Sequence, residues 1–533
     1  MADISPPARP DGARSDGTRP ARRRSGGRAA NTAKRSTAVS QQMPWRIPVN
    51  YDSPTEPLRP EAVEAVHNGA MRILEEIGIE FLHDESLDLF RKAGCKVDGT
   101  NVKMDREWVV EMIGRAPDQF TMTPRNPEKA IPVGGHHILF GNVSSPPNYF
   151  DLELGKKVSG TREHCANLLK LTQHFNCIHF AGGYPVEPVD IHASVRHLDV
   201  LFDKLTLTDK VVHAYSLGQE RVEDVMEMVK IAGGLSEEEF QAKPRMYTNI
   251  NSTSPLKHDA PMMDGLLRLA RRGQAVMVTP FTLAGAMAPV TMTGAVTLSL
   301  AESLSALALV QWVAPGVPSV IGTFTSNVDM KSGAPAFGTP EYMRATQMTG
   351  QMARFYGLPM RGSGVCAANV PDGQAMWETS NSLWSAVQSR TNIVYHAAGW
   401  LEGGLIASPE KFVMDCEVIQ MIQRYMEPVL WDASDESIAF EAIQEVGPNG
   451  HYFGIEHTQQ RYEEAFYQPM VSDWRNYEAF EAAGSIWTAQ RAHQVYRDII
   501  DNFTPPPMDI AIKDQLADFV ARRKAEGGAP TDF

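Results

Sequence analysis

Cysteine is scarce in this sequence, and the five cysteines that it has are scattered along the chain. They form no C-x-x-C pair, and their odd number argues against a disulfide framework, so we expect a reducing compartment. Zinc would need clustered ligands, and the nearest approach to a cluster is Cys165 and Cys177 with His164, His174 and His179. Because this spacing matches no recognised ligand motif, we predict no metal site.

Long hydrophobic runs are also missing, and no stretch is apolar for the length of a membrane span. The nearest candidate is Ala295–Val313, but serines, Glu302 and Gln311 interrupt it, so we predict a buried helix. Residues 1–47 lack the apolar core of a secretory signal. They are rich in Arg, Ser, Gly and Pro, and we expect them to form a disordered basic tail.

Positive charge is depleted outside that tail. The first 35 residues carry nine Arg or Lys against three Asp, a net of +6, so the rest of the chain carries −20 of the total of −14. An acidic body disfavours general binding to nucleic acids and is typical of a soluble protein. We therefore predict a cytoplasmic protein with neither a nucleic-acid partner nor a membrane partner.

Several motifs that announce common active sites are absent. The sequence has no Walker A loop, no G-x-S-x-G elbow, no H-E-x-x-H pair and no G-x-G-x-x-G at a first strand–helix turn. Sites for ATP, NAD or S-adenosylmethionine in glycine-rich loops are therefore not indicated, and metal-dependent hydrolysis is poorly supported.

What the sequence does contain is a regular alternation of short apolar strands with helices, which predicts the α/β class and a (β/α)₈ (TIM) barrel at 131–405. An open doubly wound sheet is the alternative. We expect a helical N-terminal region at 48–130 and a helical C-terminal layer and tail at 406–533. The predicted strands are His137–Ser144, Ile178–Tyr184, Val211–Leu217, Arg245–Asn251, Ala275–Thr282, Pro318–Thr325, Met360–Cys366 and Asn392–Ala398. The predicted helices between them are Arg162–Phe175, Ala193–Asp203, Glu220–Ala232, Pro261–Arg272, Thr293–Ala314, Pro340–Tyr356 and Asp372–Arg390.

The segment Pro359–Gly404 carries most of the candidate functional residues. Gln374, Trp377 and Glu378 recur at helical spacing and share one face, which is both aromatic and polar and therefore suits a cleft. A core stripe of tryptophans beside a solvated polar pair is the alternative. Asp372 stands near the start of this helix, where a carboxylate either belongs to the site or caps the helix.

Aromatic residues recur at the ends of the predicted strands, including Phe324, Tyr395 and Trp400. Each one alone is explained by packing, but a ring of π faces with few Lys or Arg nearby would bind a cation. Quaternary ammonium groups are the usual ligands of such cages. His396 and Glu402 follow or end the last strand, and the carboxylate of Glu402 or Glu378 would add attraction for the cation.

The C-terminal part adds one candidate, His451, in the glycine-rich segment Val446–Thr458. This histidine either closes the site from the C-terminal layer or satisfies the backbone of its own loop.

Five segments together resemble the trimethylamine methyltransferase family of corrinoid-dependent methylamine and quaternary-amine methyltransferases. These are Ser332–Leu358, Val370–Glu378, Tyr395–Ser408, Asp415–Ile422 and Val446–Thr458. The resemblance implies a TIM barrel and transfer of a methyl group from an N-methylated amine to the Co(I) of a corrinoid, or cobalamin. That cofactor is carried by a separate partner protein, so this chain alone binds none. A homo-oligomer is also implied.

Some members of the family carry pyrrolysine in the loop just before the V-P-D motif, near the position of Asn369. Ordinary residues fill this loop here, Cys366 to Asn369, and members without pyrrolysine are similar to glycine betaine methyltransferases. A quaternary ammonium already has a neutral amine as its leaving group, so it needs no covalent activation. Donors for a betaine carboxylate would be Asn369, Gln374, His396 or backbone N–H groups.

The leading hypothesis is therefore a pyrrolysine-independent methyltransferase for glycine betaine or a similar betaine. The alternatives are a methyltransferase for trimethylamine or another methylamine, and a protein that binds quaternary amines without turnover. The expected catalytic residues are Asn369, Asp372, Gln374, Glu378 and Glu402. The expected substrate-binding residues are Phe324, Trp377, Tyr395, His396, Trp400 and His451.

Overall fold

A curled sheet of seven parallel strands is the centre of the computed structural model, which describes residues 42–429 and 434–531. The strand order is β1-β7-β6-β5-β4-β3-β2, and every pairing is parallel. The strands are β1 (Leu139–Asn142), β2 (Val212–Ala214), β3 (Met246–Ile250), β4 (Ala275–Val278), β5 (Ser319–Gly322), β6 (Met360–Ser363) and β7 (Ile393–Ala398).

Phe180 lies between the two edge strands of this sheet. It forms one parallel bridge with Gly141 of β1 and another with Val211, the residue before β2. The approach is close, because a Cβ placed on Gly141 would lie 2.1 Å from the Phe180 ring. The predicted strand Ile178–Tyr184 is thus reduced to this bridged residue, whereas the other seven predicted strands are confirmed, most of them shorter at the carboxyl end.

Helices follow the strands as predicted. Several begin with a Ser, Thr or Asp whose side chain accepts a backbone N–H three residues later, as in Thr161, Thr339 and Ser408. Proline at the first or second position supports the starts at Thr339 and Ser408. The helices between the strands and after β7 are Arg162–His174, Ala193–Leu207, Gln219–Gly233, Glu237–Gln241, Ala260–Arg271, Met292–Val313, Pro340–Phe355, Gly373–Gln388 and Pro409–Tyr425.

The region before β1 combines helices with small sheets. One sheet has the order Lys257–His258, Ile79–Phe81, Asn101–Lys103, Lys96–Asp98, and a hairpin pairs Gln119–Met122 with Ile131–Gly134. The hairpin residues Met122, Ile131 and Val133 share an apolar cluster with the sheet residues Tyr247 and Met277. The hairpin therefore covers part of the interior of the curled sheet. The helices here are Pro60–Arg72, continued by the π-turn Ile73–Ile77, Asp84–Lys92 and Arg106–Ile113, with a 3₁₀ turn at Pro127–Lys129.

The remaining elements border the sheet or follow it. Two small sheets contain the strands Asn148–Asp151, Lys156–Ser159, Trp400–Leu401 and Ile406–Ala407, and the strands Leu283–Ala284, Ser326–Val328 and Pro335–Ala336. The later helices are Phe440–Val446, Glu456–Arg461, Tyr477–Ala482, Thr488–Asp501 and Ile510–Ala525, with 3₁₀ turns at Glu402–Gly404 and Tyr452–Gly454.

Residues 1–41 of the expected basic tail lie outside the described residues. The adjoining residues 42–47 pack against the body of the protein. The Trp45 ring lies 5.3 Å from the His179 ring, and Gln42 and Met43 make hydrogen bonds with Asn176 and Gln420.

The apolar run singled out in the sequence forms the helix Met292–Val313. By length and composition this helix would cross a membrane, but 78% of its most apolar window is buried within the protein. Its neighbours are other helices, including Pro60–Arg72, Arg106–Ile113 and Pro340–Phe355. This burial is that of a core helix, as predicted for Ala295–Val313.

We predict that Phe180→Ala lowers the free energy of unfolding by about 3–5 kcal/mol, because the ring is fully buried between Tyr247 and Tyr395. Equilibrium unfolding in urea measures this loss. Phe453→Ala is the control, since Phe453 is 81% exposed and its removal should change stability by less than about 0.5 kcal/mol. Equal effects of the two substitutions would contradict the role of Phe180.

Candidate active site

The carboxyl ends of β5 and β7 bring four aromatic side chains into contact, and we call Phe324, Tyr395, His396 and Trp400 the aromatic cluster. The ring centroids of His396 and Trp400 are 4.2 Å apart, and Phe324 lies 5.7 Å from His396 and 5.9 Å from Trp400. All four side chains are buried. The structure thus unites four of the residues that the sequence predicted to bind substrate.

An irregularity in β7 makes this arrangement possible. Successive residues of a strand ordinarily point to opposite faces, yet Tyr395 and His396 are adjacent and their rings lie 4.8 Å apart. The pairing of β7 with β1 shifts register between Val394 and Ala398, and His396 has a positive φ of 53°. Such a backbone conformation is strained for a histidine and is concentrated at functional sites.

Arg361 of β6 lies against this cluster, although few Lys or Arg were expected beside these rings, and it was not among the residues predicted from the sequence. Its guanidinium carbon is 4.8 Å from the Tyr395 ring centroid and 5.6 Å from that of Phe324. Nη1 donates to Ser363 Oγ at 2.9 Å and to the Thr323 carbonyl at 3.3 Å. The Arg361 side chain therefore reaches from within β6 toward the carboxyl ends of the strands.

The charge of Arg361 is not compensated by the protein. The residue is 2% exposed, its Nε has no hydrogen-bond partner, and it forms no ion pair within residues 42–429 and 434–531. Burial lowers its pKa to about 10, so the guanidinium is still cationic at neutral pH. A buried charge without a counter-ion is costly, and this arrangement is therefore suited to an anionic ligand group.

The histidines beside Arg361 are held neutral. Burial is the main cause that places the pKa values of His396 and His213 well below their usual range; the Arg361 charge comes second for His396, and the charges of Lys204 and then Arg361 for His213. Two buried nitrogens of the cluster, His396 Nδ1 and Trp400 Nε1, have no hydrogen-bond partner among the described residues. The indole N–H can only donate, so it too is available to an anionic or polar acceptor.

Glu378 holds the loop after β6 in place. One carboxylate oxygen, Oε2, accepts the backbone N–H groups of Ala367 at 2.8 Å and Ala368 at 3.0 Å. The other, Oε1, accepts from Gln374 Nε2 at 2.8 Å. In this structure Glu378 and Gln374 therefore act together on the loop that bears Asn369, and any direct role in catalysis stays a prediction.

The other predicted residues of the helix Gly373–Gln388 and of the loop before it face solvent or cap the helix. Asp372 is the N-cap and accepts from Ala375 N at 3.2 Å, which is the capping alternative considered above. Asn369 is exposed, and Trp377 is 60% exposed. No ring contact joins Trp377 to the aromatic cluster in the described part of the chain.

No hydrogen bond, ion pair or ring contact joins the side chains of Glu402 and His451 to Arg361 or the aromatic cluster in the described part of the chain. The Glu402 carboxylate pairs with Lys157 Nζ at 2.8 Å and 3.0 Å, and its backbone N–H donates to the Ala368 carbonyl. His451 is exposed, and its only ring neighbour among the described residues is Phe453, 6.3 Å away. Their functional roles stay predictions.

A buried ion pair fixes the turn that presents Trp400. Lys411 Nζ donates to Asp415 Oδ1 and to Thr379 Oγ1, and Asp415 Oδ2 accepts from Gly399 N at 2.9 Å. Gly399 has φ of 94°, which only glycine adopts without strain. The position of the Trp400 ring is therefore set by groups that are themselves buried and paired.

Comparison with known proteins identifies the family. Residues 24–528 match the model of the trimethylamine methyltransferase (MTTB) family. The chain belongs to this family. It is 36% identical over 472 residues to the glycine betaine methyltransferase of Desulfitobacterium hafniense (strain Y51), covering 88% of this chain and 98% of the relative. It is 30% identical over 468 residues to the trimethylamine methyltransferase MttB of Methanosarcina thermophila, covering 86% and 95% of the two chains.

Among solved structures, that of the hydroxylamine MtmB complex is similar, with a TM-score of 0.50 at 10% identity over 88% of this chain and 90% of that one. This likeness concerns the fold alone. The family membership is that of a methyltransferase acting on methylamines or betaines, as the sequence motifs indicated.

We predict that Glu378→Ala loosens the loop after β6, because it removes the acceptor of the Ala367 and Ala368 amides. Hydrogen–deuterium exchange of a peptide spanning 365–370 should become at least tenfold faster. Glu378→Gln is the matched control, since its amide oxygen still accepts both N–H groups and exchange should be close to that of the wild type. Unchanged exchange in Glu378→Ala would show that the loop is held by other contacts.

Proposed function

We propose that this protein transfers a methyl group from glycine betaine, or a betaine of similar size, to the Co(I) of a corrinoid carried by a separate protein. The observation that carries this proposal is the uncompensated charge of Arg361 beside the aromatic cluster. The relationship to the glycine betaine methyltransferase of Desulfitobacterium hafniense supports the same substrate class.

The charges of the site favour a betaine over trimethylamine. A betaine carries a carboxylate, which matches a guanidinium in charge and in planar geometry. Its trimethylammonium group cannot donate a hydrogen bond and is attracted by aromatic faces such as those of Phe324 and Trp400. A purely cationic ligand would have only the rings, and Arg361 would repel it.

The proposed reaction needs orientation more than acid–base catalysis. Departure of the methyl group from a quaternary nitrogen leaves a neutral tertiary amine, so no proton has to be supplied. The low pKa values of His213 and His396 agree with this, because both rings are uncharged at neutral pH. The residues of the chain bind the carboxylate, hold the ammonium against the rings and exclude water. The reduced corrinoid supplies the nucleophile.

We further infer that the curled sheet is a closed (β/α)₈ barrel, in which the chain at Phe180 takes the place of the eighth strand. The two parallel bridges of Phe180 support this, as do the hydrogen bonds from His179 N to Phe140 O and from Ala181 N to Val211 O. The aromatic cluster then lies at the carboxyl-terminal mouth, where barrels of this kind have their active sites.

The loops around this mouth offer a surface for the corrinoid protein. Four loops that follow β4, β5, β6 and β7 each expose a large apolar side chain, and the helix after β6 exposes Trp377. Such a rim is typical of a surface that binds another protein. We propose a cytoplasmic homo-oligomer whose corrinoid partner approaches here. The exposed side chains are Val290, Met330, Val370, Trp377 and Leu405.

The roles of Arg361 and Trp400 predict different losses of affinity. Arg361→Met should weaken glycine betaine at least a hundredfold in isothermal titration calorimetry, because it removes the carboxylate partner, and should not weaken tetramethylammonium. Trp400→Ala should weaken both ligands, because it removes a ring that contacts the ammonium group. A loss of tetramethylammonium binding in Arg361→Met, with its melting temperature unchanged, would contradict the assignment.

Turnover is tested by mixing the protein with glycine betaine and reduced free cobalamin and measuring dimethylglycine by mass spectrometry. We expect one dimethylglycine per cobalamin consumed, and no product from trimethylamine at the same concentration. Trp400→Ala should lower the rate at least tenfold. Phe453→Ala should leave the rate unchanged, because the Phe453 side chain is exposed to solvent. Tight betaine binding without any dimethylglycine would favour the alternative of a non-catalytic binding protein.

A further inference from the structure

A second concentration of uncompensated positive charge lies at the opposite end of the sheet. A cavity of about 150 Å³ opens beside the amino-terminal ends of β2 and β3. Three basic residues line it: Lys210 just before β2, Arg245 just before β3, and Arg125 from the loop between the hairpin strands. Arg361 and the aromatic cluster gather instead at the carboxyl-terminal ends of β5 to β7, so the two places are separate.

Neither arginine of this cavity has its hydrogen-bonding capacity filled. Nε and Nη2 of Arg125 and Nε of Arg245 are buried and have no hydrogen-bond partner within residues 42–429 and 434–531. Their side-chain hydrogen bonds go to neutral backbone carbonyls, from Arg125 Nη1 to Pro507 at 2.8 Å and from Arg245 Nη2 to Glu239 at 3.2 Å. Three buried nitrogens of the two arginines therefore have no hydrogen-bond acceptor beside the cavity in the described part of the chain.

Lys210 is satisfied by neutral groups as well, since its ammonium donates to the carbonyls of Thr172 and Phe175. Burial lowers its pKa to about 7 and also lowers the pKa of Arg125. The Asp209 carboxylate opposes both shifts, but its oxygens accept hydrogen bonds from Asn126 Nδ2 at 2.7 Å and Gln173 Nε2 at 3.0 Å. No carboxylate lines the cavity in the described part of the chain.

The rest of the wall is apolar and is formed mainly by Leu205, Val212, Val229, Ala232 and Leu235. A volume of 150 Å³ equals the share of about five waters in the liquid, enough for a small organic molecule. Guanidinium groups match the planar geometry of a carboxylate, and the aliphatic wall would take a short hydrocarbon chain.

We propose that this cavity is a binding site for a short-chain organic carboxylate, held by Arg125 and Arg245 and distinct from the proposed substrate site at Arg361. The carboxylate fills the open N–H groups of the two arginines, and its alkyl chain lies against the valine and leucine side chains. Binding here adds a counter-ion to the two arginines and therefore stabilises the folded chain.

Butyrate is the probe, and isothermal titration calorimetry on the full chain gives its dissociation constant. Arg125→Met and Arg245→Met should each weaken butyrate at least tenfold, because each removes charge-assisted hydrogen bonds. Arg115→Met is the matched control, since Arg115 pairs with Glu111 on an exposed helix face, and it should leave the constant unchanged.

Arg361→Met separates this site from the substrate site. This variant should still bind butyrate at the cavity, although it no longer binds betaine. Arg125→Lys keeps the charge and loses the planar guanidinium, so it should weaken butyrate binding less than Arg125→Met does. This variant and the melting temperatures of all variants show whether a loss of binding comes from a folding defect. The proposal is overturned if butyrate does not saturate, if Arg361→Met alone abolishes its binding, or if inorganic phosphate binds more tightly than butyrate.

Discussion

A guanidinium that the protein buries and does not neutralise is the constraint on which the candidate active site depends. Arg361 is enclosed by tyrosine and phenylalanine rings. Among the described residues, its guanidinium donates hydrogen bonds only to a hydroxyl and a carbonyl. Removing this charge from water lowers the stability of the free protein, and a ligand carboxylate would offset that cost. Burial and, less strongly, this charge lower the pKa of His396. The charge would also repel a bare cation, which is why we propose a zwitterionic substrate.

The contacts around the site fix the positions of the aromatic rings and of the loop after β6. The register shift in β7 turns two successive aromatic residues toward one another, and the Lys411–Asp415 pair fixes the glycine that precedes Trp400. Glu378 holds the loop after β6 through two backbone amides. Because these supports are hydrogen bonds and ion pairs within the fold, the rings keep their relative positions without the ligand.

The strand–helix alternation was predictable because each element carries a clear apolar period and a capping residue, as at Thr161 and Ser408. Phe180 shows the limit, since an apolar stretch became a single bridged residue rather than a strand. Phe324, Tyr395, His396 and Trp400 were predictable as a group because they lie at the carboxyl ends of two strands of the same parallel sheet, β5 and β7. Glu378 and Asp372 were recognised as polar residues of one helix, but whether a carboxylate faces a ligand or the backbone depends on loop positions that the sequence does not specify.

Arg361 was missed because an arginine in a strand is usually assigned to the solvent face, although its place within Met360–Cys366, which was predicted as a strand of the barrel, was a usable signal. The most direct test of its role is a crystal structure of the protein with glycine betaine. We expect the carboxylate within about 3 Å of the Arg361 guanidinium and the ammonium within about 6 Å of the Trp400 or Phe324 ring centroid. A betaine bound with its carboxylate away from Arg361, or outside the aromatic cluster, would contradict the proposed function.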